Sequence, residues 1–419
     1  MAGAPVRGRG DRRLRWLLAS SAASNLGDGI GKVAFPLLAV TLTRDPLLIA
    51  GLSATQFLPW LLFALPAGAL LDRIDRRRAM IVANAARAVV VGAMAVLVAA
   101  DGVTIWVVYV AALLIGTAET VADSAANVLI PAVAGKGSLD SANSKLQACE
   151  IVGQTFLGGP VGSATFALFA AFPFLLNSVG FAIAAVVLIG LAGSYRPKAA
   201  EGAPADLRAE LAEGFAWLKH NRLVLRLVAV AGLIGLVSEL AQAQLVLYAV
   251  EHLQLSEAAF GLFALVGGVG GLLGAAVAPR LVKVSSRRAV LLGGTACSGA
   301  AFAGMGLTAS PVAGATLFGL FAAAIVAVNI VLGTVRHTIV PGELLGRVLG
   351  VWRTVVWGSI PVGALLGGVL THALGSPART FLTSGLLLFG VAAFAFVSLR
   401  PGALDDESAT ALRVLHQDR

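Results

Sequence analysis

Apolar residues in this chain come in long unbroken runs, separated by short polar segments in which arginine predominates. A helix needs about 20 apolar residues to cross a bilayer. Runs of that order lie near 16–42, 47–71, 79–100, 103–130, 141–168, 172–193, 223–250, 256–279, 288–308, 311–335, 344–371 and 379–399. They are rich in Ala, Leu, Val and Gly and lack the short alternating segments of a membrane strand barrel. The predicted fold class is therefore an all-α polytopic membrane protein, with about 12 transmembrane helices in two pseudo-symmetric six-helix bundles. An Arg-rich start (Arg7, Arg9, Arg12, Arg13, Arg15) precedes the first run, as in a signal peptide. That run is too long for a signal core and more spans follow, so it is expected to remain as a helix.

The polar segments set the orientation. One side collects the N-terminus, Arg73 to Arg78, Lys136, the 194–222 linker, Arg280 to Arg288, Arg336, Arg347 and the tail; the other offers only Arg44 and Arg379. The positive-inside rule then predicts both termini in the cytoplasm of a multi-pass inner-membrane protein, which requires an even number of spans. The linker divides the spans six and six. Leu207, Leu211, Phe215 and Leu218 recur in it at helical spacing, which predicts an amphipathic helix on the membrane surface. The expected organisation is an N-terminal bundle (1–193), a cytoplasmic linker (194–222), a C-terminal bundle (223–399) and a cytoplasmic tail (400–419). The halves echo one another. Pro160-Val161-Gly162 in the fifth span matches Pro361-Val362-Gly363 in the eleventh, and Ile130-Pro131 matches Val340-Pro341. Two such repeats are a transporter architecture.

Composition supports this class. Hydrophobic residues make up 58% of the 419 and charged ones 13%, with mean hydropathy +0.88. A soluble domain averages about 45–50% apolar and 25% charged residues. The net charge of +9 would suggest a nucleic-acid partner if it were clustered, but it lies between the apolar runs, so no nucleic acid is expected. Cys149 and Cys297 sit in separate spans without metal-ligand spacing, so they read as small core residues, and no metal or cofactor is expected.

The loop after the second span reads Gly68-Ala69-Leu70-Leu71-Asp72-Arg73-Ile74-Asp75-Arg76-Arg77-Arg78. It resembles the signature loop of the major facilitator superfamily, with Asp75 where that pattern usually has Gly. The Asp-Arg-x-Asp-Arg-Arg variant, and the segment from Arg336 through Pro341 and Leu344-Leu345-Gly346-Arg347 to Gly363, resemble the siderophore and macrolide (multidrug) exporter branch. The resemblance covers nearly the whole chain. It implies that Gly68, Asp72, Arg73, Arg76 and Arg77 form a conformational switch, with the start of span eleven near Glu343 to Arg347 as partner. An acid that accepts from helix N-terminal amides suits such a contact; the plain alternative is a positive-inside loop with an incidental acid. Gly159-Pro160 in the fifth span resembles the Gly-Pro motif of superfamily antiporters, although Ser163 and Ala164 replace later glycines. Gly159, Pro160 and Gly162, with Pro361 and Gly363, are read as helix-bending positions, and close packing of Gly-rich helices explains them equally well.

Charges inside the membrane point to function because a charged group at the bilayer centre costs a few kcal/mol. Asp28 lies about 18 Å into the first span, counted from Trp16 at 1.5 Å per residue. Lys32 is one turn on and is the expected partner. Glu119 and Asp123 are one turn apart in span four, Glu239 lies in span seven, and Asn329 in span ten with His337 at or beyond its end. The first helix of each three-helix unit thus carries the polar groups, and the resemblance implies that those helices line the cavity. These six residues, Asp28, Lys32, Glu119, Asp123, Glu239 and Asn329, form the candidate substrate and proton pathway, with Glu119 and Glu239 as the preferred coupling carboxylates. Glu150 and Arg353 are either a pair across the halves or substrate contacts. Gln56 and Gln154 read as helix–helix hydrogen bonders, and Trp352 and Trp357 as core or a substrate wall.

The expected function is secondary active export of a small amphipathic, lipophilic organic compound by proton antiport, with export inferred from the resemblance. No phosphate-binding loop for ATP is present, and no HExxH or GxSxG arrangement suggests an enzyme. A siderophore or lipid exporter shares the fold, a nutrient importer needs more hydrogen-bonding residues, and a transport-inactive receptor or scaffold predicts dispensable carboxylates. The expected partners are the substrate, protons and the bilayer, and the superfamily's usual monomer is the expected state.

Overall fold

The computed structural model describes residues 7–71, 73–134, 139–193, 195–196, 215–402 and 404. Every regular element among them is helical. In chain order these are α1 (Arg7–Leu42), α2 (Pro46–Leu71), α3 (Arg76–Ala99), α4 (Ile105–Val133) and α5 (Leu139–Glu150). A π-helical segment (Ile151–Gly158) then leads into α6 (Gly159–Leu168) and α7 (Phe172–Ile189). The second half holds α8 (Arg222–Gln242), a short turn with π-helical Tyr248–His252, α9 (Glu257–Val284), α10 (Arg287–Leu307), α11 (Pro311–Ile339), α12 (Gly342–Leu374) and α13 (Pro377–Ser398).

Ten stretches of the described residues are long and apolar enough to cross a membrane. About twelve were expected, and the difference falls on two places. Helix α1 is 36 residues long but interrupts its apolar face with Asp28, Lys32 and several Ser and Asn residues. The fifth expected span is not one α-helix, because the π-helical segment divides α5 from α6. Such π segments widen the helix by one residue per turn and are frequent at functional sites. This one ends immediately before Gly159-Pro160, where the proline has no N–H to continue the ladder. Residues 215–220 of the linker are helical, with Leu218 buried and Phe215 exposed, while Leu207 and Leu211 lie outside the described residues.

The chain falls into two compact units. One comprises Met1–Arg44, Thr55–Glu201 and Ser256–Leu265; the other comprises Asp45–Ala54, Gly202–Leu255 and Val266–Arg419. The same four helix pairings recur in each. In the first, α1 packs on α7 and on the α5–α6 stretch, and α3 packs on α7 and α4. In the second, α8 packs on α13 and α12, and α10 packs on α13 and α11. A matching arginine clamp also recurs. Arg77, second residue of α3, donates from Nε and Nη2 to the Leu188 and Ile189 carbonyls at the end of α7, at 2.8 and 2.7 Å. Arg288, second residue of α10, donates to the Leu399 and Phe396 carbonyls at the end of α13, both at 2.8 Å. Each guanidinium donates to carbonyls at a helix C-terminus, where the negative end of the helix dipole favours a cation.

Outer faces are apolar. On α3, Val82, Val89 and Val96 are exposed at seven-residue spacing while Ala83, Arg87, Val91, Met94 and Val98 are buried. One face of the helix therefore suits lipid and the other packs inward. Inside the first unit, glycines bring α1 against the π segment and α6. A Cβ on Gly162 would meet the Ile30 carbonyl at 2.8 Å, and one on Gly29 would meet Gln154 at 2.6 Å. In the second unit, Gly363 holds α12 close to α8, where a Cβ would come within 3.0 Å of Glu239 Cβ. Close backbone approach through small residues is the usual way for membrane helices to associate.

Gly162→Leu is expected to force α1 and α6 apart, at a cost of about 1–3 kcal/mol from overpacking. It should lower the melting temperature in detergent, whereas Gly390→Leu, at a position with open space within 4 Å, should melt like the parent protein.

Candidate functional site

Helices α1, α3, α4, α5 and α7 and the π segment of the first unit contribute to a group of charges. Helix α1 places Asn25, Asp28 and Lys32 along one side through three- and four-residue spacing. Helix α3 contributes Arg87, only 1% exposed and flanked by buried Asn84 and Val91. Arg87 forms an ion pair with Asp28, and its guanidinium lies 3.9 Å from the centre of the Phe181 ring of α7. It is also within electrostatic reach of Glu119 and Asp123 on α4. Asp123 in turn senses Glu119, Arg87, Glu150 and Lys32.

Asp28 therefore does not pair with Lys32 as expected. A buried guanidinium left without a carboxylate is a heavy cost, while an exposed ammonium is not, and Lys32 is exposed. Lys32 instead donates from Nζ to Gln154 Oε1 on the π segment. Gln154 Nε2 donates to Asn25 Oδ1 at 2.6 Å, and Asn25 Nδ2 donates to the Ser21 carbonyl at 2.8 Å. This chain of hydrogen bonds fixes the orientation of both amides. Gln154 thus joins helices, as its sequence context suggested.

Arg87 also breaks the expected confinement of polar groups to the first helix of each three-helix unit, since it lies on the third. Sequence reasoning passes over it, although a lone guanidinium inside an apolar run is itself a signal. Asn177 on α7 is a second such residue. It is 2% exposed, and its side chain fills the space beside Gly27 and Gly31 of α1. In the whole cluster, four carboxylates (Asp28, Glu119, Asp123, Glu150) stand against two cations (Arg87, Lys32). Such a site attracts cations and protons.

The second unit places its candidates apart. Glu239 on α8 is half-buried and accepts from Gln242 Nε2 at 3.3 Å. It lies against Gly363 of the Pro361-Val362-Gly363 motif. Asn329 and His337 are exposed on α11. Arg336 lies over the Trp352 ring at 5.0 Å and Arg353 over Trp357 at 5.6 Å.

Of the loop residues, Asp72 lies outside the described residues, as does the side chain of Glu343. Arg73 is exposed, Arg76 opens α3, and Arg77 is the clamp on α7. Asp75 is buried. It caps α3 by accepting from the Arg78 N–H at 3.1 Å and holds the Tyr195 N–H at 2.8 Å. An Asp at this cap satisfies amides that Gly would leave open. In the Gly-Pro stretch, buried Ser163 donates to the Ala258 carbonyl at 3.0 Å. The larger residue that replaces glycine there makes its own contact.

A family model described as transmembrane secretion effector matches residues 4–417. The chain belongs to that family, within the major facilitator superfamily. Secretion-effector relatives include the multidrug efflux pump Tap of Mycolicibacterium fortuitum, 29% identical over 92% of this chain and 95% of that protein. Tap of Mycobacterium tuberculosis (strain ATCC 25618 / H37Rv) is also 29% identical, over 86% and 87%. Among solved structures, a bacterial homologue of the iron transporter ferroportin superposes with a TM-score of 0.72 at 17% identity, covering 92% of this chain and 99% of that one. The nucleoside transporter NupG gives 0.70 at 15% identity, covering 92% and 97%. At these identities the structures share the fold alone. The family is one of multi-pass membrane transporters, not enzymes.

The ion pair makes a direct prediction. Arg87→Met should strand Asp28 as a buried charge and destabilise the protein by about 3 kcal/mol. Adding Asp28→Asn should recover much of that loss, and a double-mutant cycle of melting temperatures in detergent measures the coupling.

Proposed function

We propose that this secretion-effector protein exports small amphipathic, lipophilic organic compounds across the cell (inner) membrane by proton antiport with alternating access. The observation that carries the proposal is the excess of carboxylates over cations in the cluster of the first unit, where the buried Arg87 and its partner Asp28 lie beside half-buried Glu119 and the exposed Asp123 and Glu150. A carboxylate that passes between a wet and a dry environment takes up and releases a proton. In this reading Glu119 and Asp123 exchange protons against substrate, and Arg87 keeps Asp28 from competing with them. Glu239 is a second coupling carboxylate, on the second unit. Export of drug-like compounds is carried from the Tap multidrug efflux pumps, which align with this chain over most of its length.

The remaining assignments belong to the same proposal. Both termini lie in the cytoplasm, on the side of the arginine-rich loops. Gly68, Asp72, Arg73, Arg76 and Arg77 act as the switch loop, with Arg77 tying it to α7. Gly159, Pro160 and Gly162, with Pro361 and Gly363, set how closely the neighbouring helices slide. The working unit is a monomer with the N-terminal and C-terminal bundles as its two halves.

The test is flux in proteoliposomes with an imposed pH gradient, using a lipophilic cation and a neutral macrolide-like compound. Gradient-dependent flux is expected in the parent protein and should fall to background in Glu119→Gln or Glu239→Gln. Flux indifferent to both the gradient and the substitutions refutes proton coupling. Absence of any flux favours a receptor or scaffold.

A further inference from the structure

Helices α11 and α12 of the second unit carry three arginines, Arg336, Arg347 and Arg353, and two of them, Arg336 and Arg353, lie over tryptophan rings of α12. Arg336 lies one turn before the end of α11, half-buried, with its Nε atom buried and unpartnered. Arg353 lies eleven residues into α12, about 16 Å along the helix at 1.5 Å per residue. Arg336 rests on Trp352, which is 5% exposed, and the exposed Arg353 lies over the exposed Trp357, one turn along the same helix. Trp352 and Arg353 are consecutive, so Arg336 reaches the turn of α12 that carries Arg353, and Arg353 lies within electrostatic reach of Arg336. Within this unit, no carboxylate among the described residues forms an ion pair with either one. Glu239, the unit's candidate coupling acid, has Gln242 as its partner instead.

Two like charges in a partly apolar setting raise the energy of the empty site, and an arriving anion relieves it. Stacking on an indole face fixes the plane of each guanidinium and leaves its N–H edges free to donate. Paired forks of this kind match the geometry of a carboxylate or phosphate. Arginines that serve only as membrane-surface anchors need neither a buried indole beneath them nor a depth of several turns.

We propose that Arg336 and Arg353, supported by Trp352 and Trp357, form an oxyanion site that takes the carboxylate or phosphate of an amphipathic molecule with a flat apolar body. The inference deepens the export function by adding acidic amphipathic molecules to the compounds carried, and it rests on that reading only for its role in transport. The same chemistry is offered by a soluble organic acid and by a lipid headgroup.

The test uses the full chain in phosphatidylcholine nanodiscs, with equilibrium binding of radiolabelled naphthoate, naphthyl phosphate and neutral naphthalenemethanol. Both acids should bind more tightly than the alcohol by about tenfold or more, the scale of a charge-assisted hydrogen bond. Arg336→Gln and Arg353→Gln should each abolish that preference, and Arg336→Lys and Arg353→Lys should keep part of it. If a glutamine variant fails to fold, the lysine variants and competition between the two acids on the parent protein decide. Phosphatidylglycerol added to the discs displaces naphthoate if a lipid headgroup is the resident, and leaves its binding unchanged if the site serves soluble acids; either result supports the site. Equal binding of acids and alcohol, or a preference that survives both glutamine variants, overturns it. Gradient-driven flux of a lipophilic cation, measured on the same preparation, separates the two readings. Flux with charge-blind naphthoate binding removes the site alone, whereas charge-selective binding without any flux removes the transport reading and leaves the site.

Discussion

Arg87 is a permanently charged group enclosed by helices whose other inward residues are mostly apolar, and the first unit is organised around neutralising it. Its carboxylate partner comes from α1, its aromatic cover from α7, and further negative charge from α4. Three helices distant in sequence are thereby held to one point. In a hydrocarbon setting the guanidinium cannot be abandoned to solvent, so these helices keep their mutual rotation or the unit loses stability. The glycines of α1 and α6 then allow the backbones to close around the pair, because any Cβ at Gly29 or Gly162 would occupy the space that the neighbouring helix fills.

The two units solve the same packing problem in the same way at their helix ends and differently at their centres. Arg77 and Arg288 cap corresponding helix ends with the same donor geometry. The repeated pairings follow from that shared frame. The interiors diverge in charge. The first unit gathers carboxylates about one buried arginine. The second gathers two arginines over two tryptophans, with its one candidate coupling carboxylate, Glu239, beside the glycine of α12.

The polar chain from Ser21 through Asn25 and Gln154 to Lys32 runs along the seam where helix geometry changes from α to π. A π segment holds extra backbone length without breaking the helix. Hydrogen bonds between amides and an ammonium are easily exchanged, in contrast to the buried Arg87–Asp28 pair. The first unit therefore combines a buried ion pair with a partly exposed polar seam on the same face of α1.

The fold class, the approximate positions of the spans and the internal repeat were all legible in the sequence, because each depends on local quantities: the length of an apolar run, the spacing of charges between runs, and the recurrence of Pro-Val-Gly. The fifth span and the break after α8 were not, since a π segment has the same composition as the α-helix it interrupts. At the site, Glu119, Asp123 and Asp28 were visible as charges in apolar runs, and Asp75 as a departure from the superfamily loop. The partner of Asp28 was not visible. Spacing along a helix offers Lys32, one turn away, but the choice belongs to the group for which isolation costs most, and burial of Arg87 is a property of the packed bundle. Sequence alone determined which residues carry charge into the membrane; tertiary structure decided which of them meet, because ion pairing in a low-dielectric interior is fixed by distances between helices that no single helix encodes.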